Sequence, residues 1–590
     1  MIRPQSNAYR DRIDLSGIWR ALPDPSLIGQ ANGWASGLPE PSLALAVPGS
    51  WNEQLADIGL MNYVGDMWME TRVFLPSSFS GRDIALRFGC ADYSATVWVN
   101  GHLAGSSGAQ HLPFELDVSD FVTIGVEALI VVRVTNLLPQ QGPTQRVTQQ
   151  DYGDESRPKD EYLPAVRFDF FPFGGLNRPV YIAALPKNRI TALRLTPSLN
   201  GTIGQIDVEL FYQGNADCAF IVLKHKGVAA RTTLSLIDGK GVGQLRIDDC
   251  PLWSPETPNL FDVQADLSAA AFGTVDQVRL KTGVREIRVA GKTLLLNGTA
   301  LVLKGFGKHE DSPFRGRGLD LPQMIKDFQL LKWCGANSVR TSHYPYAEEF
   351  YDLCDEHGIM VIDEAFSINL DFRRVKPEGL EAHKAALTQL IARDYNHPCV
   401  VAWSLANEPG YLGEKNYSKE SAPYWKDLFA HARSLDASRP MTHANVGYAG
   451  LDDPAFDEAD FLMINRYYGW YHEPAQLDRA IPKLTADFDA LTQSHGKPIF
   501  VSEFGADALA GQHATYPQMF TEDYQADFIA AYWQAITDHA SVIGGHVWNF
   551  ADFRTAQHGR RVVFNLKGVF TRDRTPKKAA FTVRALWTKT

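Results

Sequence analysis

Apolar and polar positions follow two different rhythms along the 590 residues, and the change falls near residue 290. Before it, short runs such as "DIALRFGC", "SATVWVNG" and "ALIVVRVTN" alternate apolar with polar residues and are separated by Gly, Pro, Asn and Asp. That is the pattern of half-buried strands joined by turns, and up to residue 186 it predicts an antiparallel β-sandwich. The pieces "RITALRLTPSL", "GQIDVELFY", "AFIVLKHK", "FDVQADLSAA" and "DQVRLKTGVREI" carry it on through residues 187–287. Their length and spacing suit a seven-stranded immunoglobulin-like sandwich, without the Cys, Trp, Cys framework of antibody domains.

From residue 288 apolar strands alternate with helical stretches. "LVLKGF" precedes "DLPQMIKDFQLLKWCG", "ANSVRTSHY" precedes "YAEEFYDLCDEHG", "IMVIDEAF" precedes "GLEAHKAALTQLIARDYN", and "VVAWSLANE" precedes "APYWKDLFAHARSLD". "MTHANVG", "FLMINRYY", "PIFVSEFG" and "GGHVWNF" complete a set of eight, with helices after the sixth and seventh. Buried strands that each feed a helix pair in parallel, and eight of them in the segment 288–590 predict a closed (β/α)8 barrel. An open doubly wound sheet is the alternative, but no Gly-rich phosphate loop follows the first strand.

Composition narrows the partners. The chain is 45% hydrophobic and 21% charged, and 57 basic against 68 acidic residues give a net charge of −11 with the signs interspersed. Nucleic acid and anionic membrane surfaces are therefore excluded as expected partners, and a small-molecule or carbohydrate substrate fits better. "MIRPQSNAYRDRIDLSG" lacks the apolar core of a secretory signal, no run of about 18 apolar residues offers a membrane span, and the six cysteines form no CxxC. These features predict free thiols and a cytoplasmic location.

In a (β/α)8 barrel the chemistry gathers where the strands end, so polar residues closing apolar strands are candidates. The eight strands end in turn at His309; Arg340 and His343; Asp363 and Glu364; Asn407 and Glu408; His443 and Asn445; Asn465, Arg466 and Tyr467; Glu503; and Trp548 and Asn549. Glu408 in "WSLANEPG" and Glu503 in "PIFVSEFG" are placed to face each other across the mouth. Retaining glycoside hydrolysis needs such a pair, one acid and one carboxylate about 5 to 5.5 Å apart. Asn407 offers an amide for a sugar 2-hydroxyl, and Tyr467 can bond an oxygen of Glu503. The alternative is that each glutamate merely pairs with a nearby arginine. A metal at His309, Glu310 and Asp311 is not expected, because these residues are predicted to orient one another. Near the C-terminus, "RVVFNLKGVF" places Asn565 and Lys567 two apart, on one face if extended. Lys567 either snorkels to solvent or is aimed with Asn565 at one polar group.

At these residues the chain resembles glycoside hydrolase family 2, and within it the β-glucuronidases. The resemblance rests on "GFGKHED", "ANSVRTSHYPYAEEFYDLCDEHGI", "IARDYNHPCVVAWSLANEP", "INRYYGWY", "VWNFADF" and "NLKGVFTRDRTPKKAAF". It implies a jelly-roll sugar-binding domain at 1–186, an immunoglobulin-like domain at 187–287 and a catalytic barrel at 288–590. It also implies retaining, exo-acting cleavage of a small-molecule or oligosaccharide β-D-glucuronide, with no cofactor or metal, by a homo-oligomer (dimer or tetramer). Glu408 would be the acid/base and Glu503 the nucleophile. Asn407 would orient the 2-hydroxyl, while His343, Asn465, Tyr467, Tyr471 and Trp548 would line the sugar subsite. Asp169, in "FDFFPFGGLNRPV", would reach the pocket from the first domain, and Arg561, Asn565 and Lys567 would surround the sugar carboxylate. A β-galacturonidase or mixed uronidase is the nearest alternative reading, ahead of a β-galactosidase, a β-mannosidase or a silent carbohydrate-binding protein. The chain departs from some bacterial members in its short "SINLDFRRVKPE" segment, which predicts a mouth open to bulky aglycones.

Overall fold

The structure is a computed structural model that describes residues 2–139, 142–144, 166, 168–372, 374–410, 417–447, 450–557 and 561–588. The first sandwich pairs a six-stranded and a four-stranded sheet, both antiparallel. Ile130, Val132 and Val134 of the strand Glu127–Thr135 meet Leu86, Phe88, Ile182 and Ala184 in one core. The same strand is apolar on its other face too, because Leu129 and Val131 pack with Trp68 and Trp98 under the chain near Leu38. A strand covered on both faces loses its alternation, which explains the unbroken "ALIVV".

The second sandwich draws seven strands from Arg189–Asn200 to Gly273–Thr282. Two of them, Val228–Ile237 and Lys240–Ile247, are absent from the five pieces read off the pattern. Their apolar residues are few on the inner face, and Leu234, Leu245 and Ile247 carry most of their burial.

The barrel closes. Its strands are Leu303–Gly307, Ser338–Arg340, Met360–Glu364, Val400–Asn407, Met441–Asn445, Leu462–Asn465, Ile499–Phe504 and Val542–Val547. Closure depends on the eighth strand lying parallel to the first, in register from Leu303 opposite Gly544 to Phe306 opposite Val547. Gly544 has φ +128°, and a Cβ there would come within 1.9 Å of the Leu303 carbonyl oxygen, so only glycine permits this approach. The first barrel helix, Leu321–Cys334, begins where the Asp320 side chain accepts the Gln323 N–H and ends at the left-handed Gly335. Between the fifth and sixth strands the described helix is a single turn, Ala455–Glu458. Among the described residues no helix is long and apolar enough to cross a membrane.

The first sandwich docks on the barrel through buried ions and aromatic rings. Arg87 donates to both oxygens of Glu348, at 3.0 and 2.9 Å, in the first turn of the helix Glu348–His357. Arg178 spans the joint, donating to the carbonyls of His111 and Pro345, each at 2.6 Å. Phe168 and Phe170 belong to the barrel's own core, and this insertion carries Asp169, between them, to the mouth. The cysteines are free, four of them buried.

Burial alone would raise the Glu348 carboxyl, but Arg87, then Arg3 and Arg393, outweigh it and hold it down to about 2. A depressed carboxyl stabilises the fold above its ordinary value of about 4.3 and loses that contribution as pH falls. Arg87→Ala leaves the half-buried anion without its main partner and should cost about 1.5–3 kcal/mol at neutral pH, the worth of a hydrogen bond to a charged group. Thermal melting checks this, and the deficit should shrink as pH falls from about 4.3 toward 2.

Candidate active site

Glu503 closes the seventh barrel strand and is 5% exposed. Arg340, wholly buried at the end of the second strand, reaches it across the barrel, with Nη2 donating to Oε1. Nη1 of Arg340 lies 2.8 Å from each oxygen of Glu364 on the third strand. The Tyr467 hydroxyl donates to Oε2 of Glu503 at 2.7 Å, and Nε2 of His343 lies 3.9 Å from Oε1. Both oxygens thus accept from donors, the setting of an ionised carboxylate. Glu364 is held below the usual carboxylate range: burial, which would raise it, is outweighed by Arg340, His343 and Ser404.

Glu408 follows the fourth strand at φ +45°, and its N–H bonds the Ala444 carbonyl at 2.8 Å. This left-handed turn is costly for a glutamate and redirects its side chain. Nδ2 of Asn465 donates to Oε1 of Glu408 at 2.9 Å, while Oδ1 of Asn465 accepts from Ser502 at 2.7 Å, which fixes the amide's orientation. Burial, and then the charge of Glu503, push the Glu408 carboxyl up to about 7 against the opposing pull of Asn465 and Arg340. A raised carboxyl therefore sits in the same mouth as a carboxylate whose two oxygens both accept hydrogen bonds. Asn407 is oriented by Arg340 Nη1 and Asn465 Nδ2, both 3.4 Å from its Oδ1. His343 bonds Glu364 at 3.0 Å and stacks on Trp548 with ring centroids 5.0 Å apart.

A second, charged group lies beside this one. Beyond the eighth strand, Phe564–Asn565 pairs with Phe553–Arg554 and brings in Lys567, only 1% exposed. Its ammonium bonds Asp507 at 2.5 Å and the Tyr471 hydroxyl at 3.2 Å, and lies 5.1 Å from the ring centroids of both Trp470 and Tyr471. Arg561 grips both oxygens of Asp169, at 2.9 and 2.6 Å, and also reaches Asp507 at 3.3 Å. The Asn565 amide donates to Asp169 at 2.6 Å. Burial would raise the Asp507 carboxyl, yet Lys567 and Arg561 hold it below its ordinary value. Tyr467 and Tyr471, with centroids 5.2 Å apart, join the two groups.

Three successive stretches match glycosyl hydrolases family 2: residues 13–186 its sugar binding domain, 188–285 the model that carries the family's name alone, and 287–590 its TIM barrel domain. The chain belongs to glycoside hydrolase family 2. It is 36% identical over 600 residues to a β-glucuronidase of Paenibacillus borealis, covering 100% of this chain and 98% of that one. A β-glucuronidase of Felis catus is 37% identical over 618 residues, covering 100% and 92%. Among solved structures, a β-glucuronidase from Ruminococcus gnavus in complex with D-glucaro 1,5-lactone superimposes with a TM-score of 0.92 at 34% identity, over 99% of each chain.

All twelve candidate residues of this family member fall into the two joined groups. Glu408, Glu503, His343, Asn407, Asn465, Tyr467 and Trp548 form the first; Asp169, Arg561, Asn565, Lys567 and Tyr471 form the second. Lys567 does not snorkel outward. The sequence reading missed Asp507, Trp470 and Ser502, although Asp507 stands only four residues beyond Glu503. Other strand-end groups serve elsewhere: His443 and Asn445 both bond Asp453, and Arg466 pairs with Asp487. His309, Glu310 and Asp311 do not orient one another as expected. His309 packs among Phe170, Phe553 and Trp548, Glu310 bonds Arg178, and Asp311 bonds Arg572, because each points into a different neighbouring element. Two clusters of metal-ligating residue types occur among the described residues, Cys90 with Asp92 and His111, and Asp355 with His397 and Cys399, and neither includes a residue of this site.

A raised carboxyl acts as a proton donor only below its pKa. The value of kcat/KM should therefore fall as pH rises through about 7. In pH–rate profiles Glu408→Gln should abolish that basic limb and lower kcat/KM for glycosides of poor leaving groups by about 10²–10⁴.

Proposed function

We propose that the protein hydrolyses β-D-glucuronides to D-glucuronate and an aglycone, with retention at the anomeric carbon. The observation that carries this reading is a buried lysine, Lys567, in the same mouth as Glu408, whose carboxyl is pushed up to about 7, and an Arg340-held Glu503. The names of the full-length relatives point the same way.

Glu503 attacks the anomeric carbon while Glu408 gives its proton to the departing oxygen. The bond to the aglycone breaks as the glycosyl ester forms, and the charge on Glu503 is lost. That charge is one of the causes raising Glu408, so its pKa falls and it can take a proton from water. The water attacks the same carbon, the ester opens, and Glu503 returns as a carboxylate. Neither step calls for a metal or cofactor.

Asn407 holds the 2-hydroxyl, whose hydrogen bond tightens as positive charge grows on the sugar. His343, Asn465, Tyr467 and Trp548 shape the subsite around the ring. Lys567, Asn565, Arg561 and Tyr471 receive the sugar carboxylate, with Asp169 supplied by the first sandwich. A neutral hexose would leave these donors unmatched, and sites built on such donors reject the wrong sugar strongly. Within "SINLDFRRVKPE" the Asn369 N–H bonds the Asn407 carbonyl at the end of the fourth strand, at 3.0 Å. We extend the proposal to bulky and oligosaccharide aglycones on the strength of that segment's brevity. A homo-oligomer, dimer or tetramer, in the cytoplasm also belongs to this reading, supported by the family resemblance and the free thiols.

The test is a panel of 4-nitrophenyl β-glycosides: glucuronide, galacturonide, galactoside, glucoside and mannoside. The glucuronide should lead, and Glu503→Ala should remove turnover. Lys567→Ala should lower kcat/KM for the glucuronide by about 10²-fold or more, the worth of a charge-assisted hydrogen bond in a dry site. Equal loss on the glucuronide and the galactoside would overturn the carboxylate reading.

A further inference from the structure

The donors assigned to the sugar carboxylate already hold carboxylates of the chain itself. Asp169 takes Arg561 and Asn565, while Asp507 takes Lys567 and the remaining Nη1 of Arg561. The two acids differ in access. The Asp169 side chain is 33% exposed at the edge of the pocket, whereas that of Asp507 is 4% exposed beneath it. Asp507 is also anchored, because its Oδ1 accepts the Leu566 N–H at 2.9 Å. It cannot swing aside without leaving a buried backbone donor unpaired.

We propose that Asp507 is a specificity-determining positioning residue, the fixed counter-ion that holds the Lys567 ammonium in place to receive the carboxylate of a uronic acid. This rests on the uronate reading above. Asp507 belongs to the charged group and touches neither Glu408 nor Glu503 in the bonds described; it acts through Lys567. A buried ammonium with no anion beside it is costly and would move toward water. With Asp507 in place the ammonium is held, and the ordering is complete before substrate arrives. An ammonium has three N–H groups in a tetrahedral array. Asp507 and the Tyr471 hydroxyl fix two of them, which fixes the direction of the third. The flanking rings of Trp470 and Tyr471, each 5.1 Å from Nζ, resist sideways movement.

The arrangement makes a prediction of opposite sign in two backgrounds. While Lys567 is present, Asp507 helps by aiming it. Once Lys567 is gone, Asp507 is a buried anion close to the sugar's own carboxylate, and it hinders. The experiment measures kcat and KM for 4-nitrophenyl β-D-glucuronide in wild type, Asp507→Asn, Lys567→Ala and the double variant, with melting curves to confirm folding. We expect Asp507→Asn alone to lower kcat/KM by about tenfold or more, mainly through KM, and to raise kcat/KM when added to Lys567→Ala. Loss by the same factor in both backgrounds would mark a scaffold role and overturn the proposal, as would no loss beside an intact Lys567. Glucuronide turnover indifferent to Lys567→Ala would overturn the uronate reading itself, and the proposal with it. If Asp507→Asn does not fold, Asp507→Glu keeps the charge but moves it by one methylene. The ratio of glucuronide turnover to labelling of Glu503 by 2-deoxy-2-fluoro-β-glucosyl fluoride, which has no carboxylate, should then fall. An unchanged ratio would overturn the assignment.

Discussion

The buried guanidinium of Arg340 is the contact on which the rest of the mouth depends. It bonds Glu503 on one side and Glu364 on the other, so two carboxylates share one cation where little water reaches them. An unpaired carboxylate at this depth would take up a proton. Arg340 pairs with Glu503, and burial together with the charge of Glu503 pushes the neighbouring Glu408 carboxyl up to about 7. Two glutamates of the same chemistry thereby stand in different electrostatic settings. Arg340 stands on the second strand and Glu503 on the seventh, which the closed barrel brings together across its mouth. The site therefore inherits its geometry from closure, and closure from the tight pairing of the first and eighth strands at Gly544.

The first sandwich is part of that site rather than an appendage. Phe168 and Phe170 pack into the barrel core, and Asp169 between them meets Arg561 and Asn565 from the far end of the chain. The pocket wall is thus assembled from segments nearly 400 residues apart, with the Arg561 pair spanning 392 positions.

This distribution explains what a single sequence discloses. The eight strands and their terminal polar residues were legible because a buried parallel strand is a continuous apolar run and a polar residue ends it. Glu408 and Glu503 were legible for the same reason. Which strand-end groups turn inward was not, since His443 and Asn445 look like Asn407 and Asn465 in sequence yet serve Asp453. Two strands of the second sandwich, Val228–Ile237 and Lys240–Ile247, were hidden because a mostly solvated strand carries little apolar signal. The counter-ions were hidden because pairing is a relation in space. Lys567 and Asp507 stand 60 positions apart, and nothing local to either announces the other.

The balance of charge in the mouth bears on how a uronate could be recognised at all. Arg340, Lys567 and Arg561 supply three cations, while Glu503, Glu364, Asp507 and Asp169 supply four carboxylates in the network, before any sugar arrives. The chain as a whole carries −11. Long-range attraction for an anionic substrate is therefore not what the pocket provides. What it offers is directional: an ammonium and a guanidinium held rigid by buried partners, with an amide and a phenol beside them. Charge-assisted hydrogen bonds are strong only at short range and in good alignment. Recognition of this kind works at contact and does little at a distance, so its selectivity depends on the counter-ions that fix the donors as much as on the donors themselves.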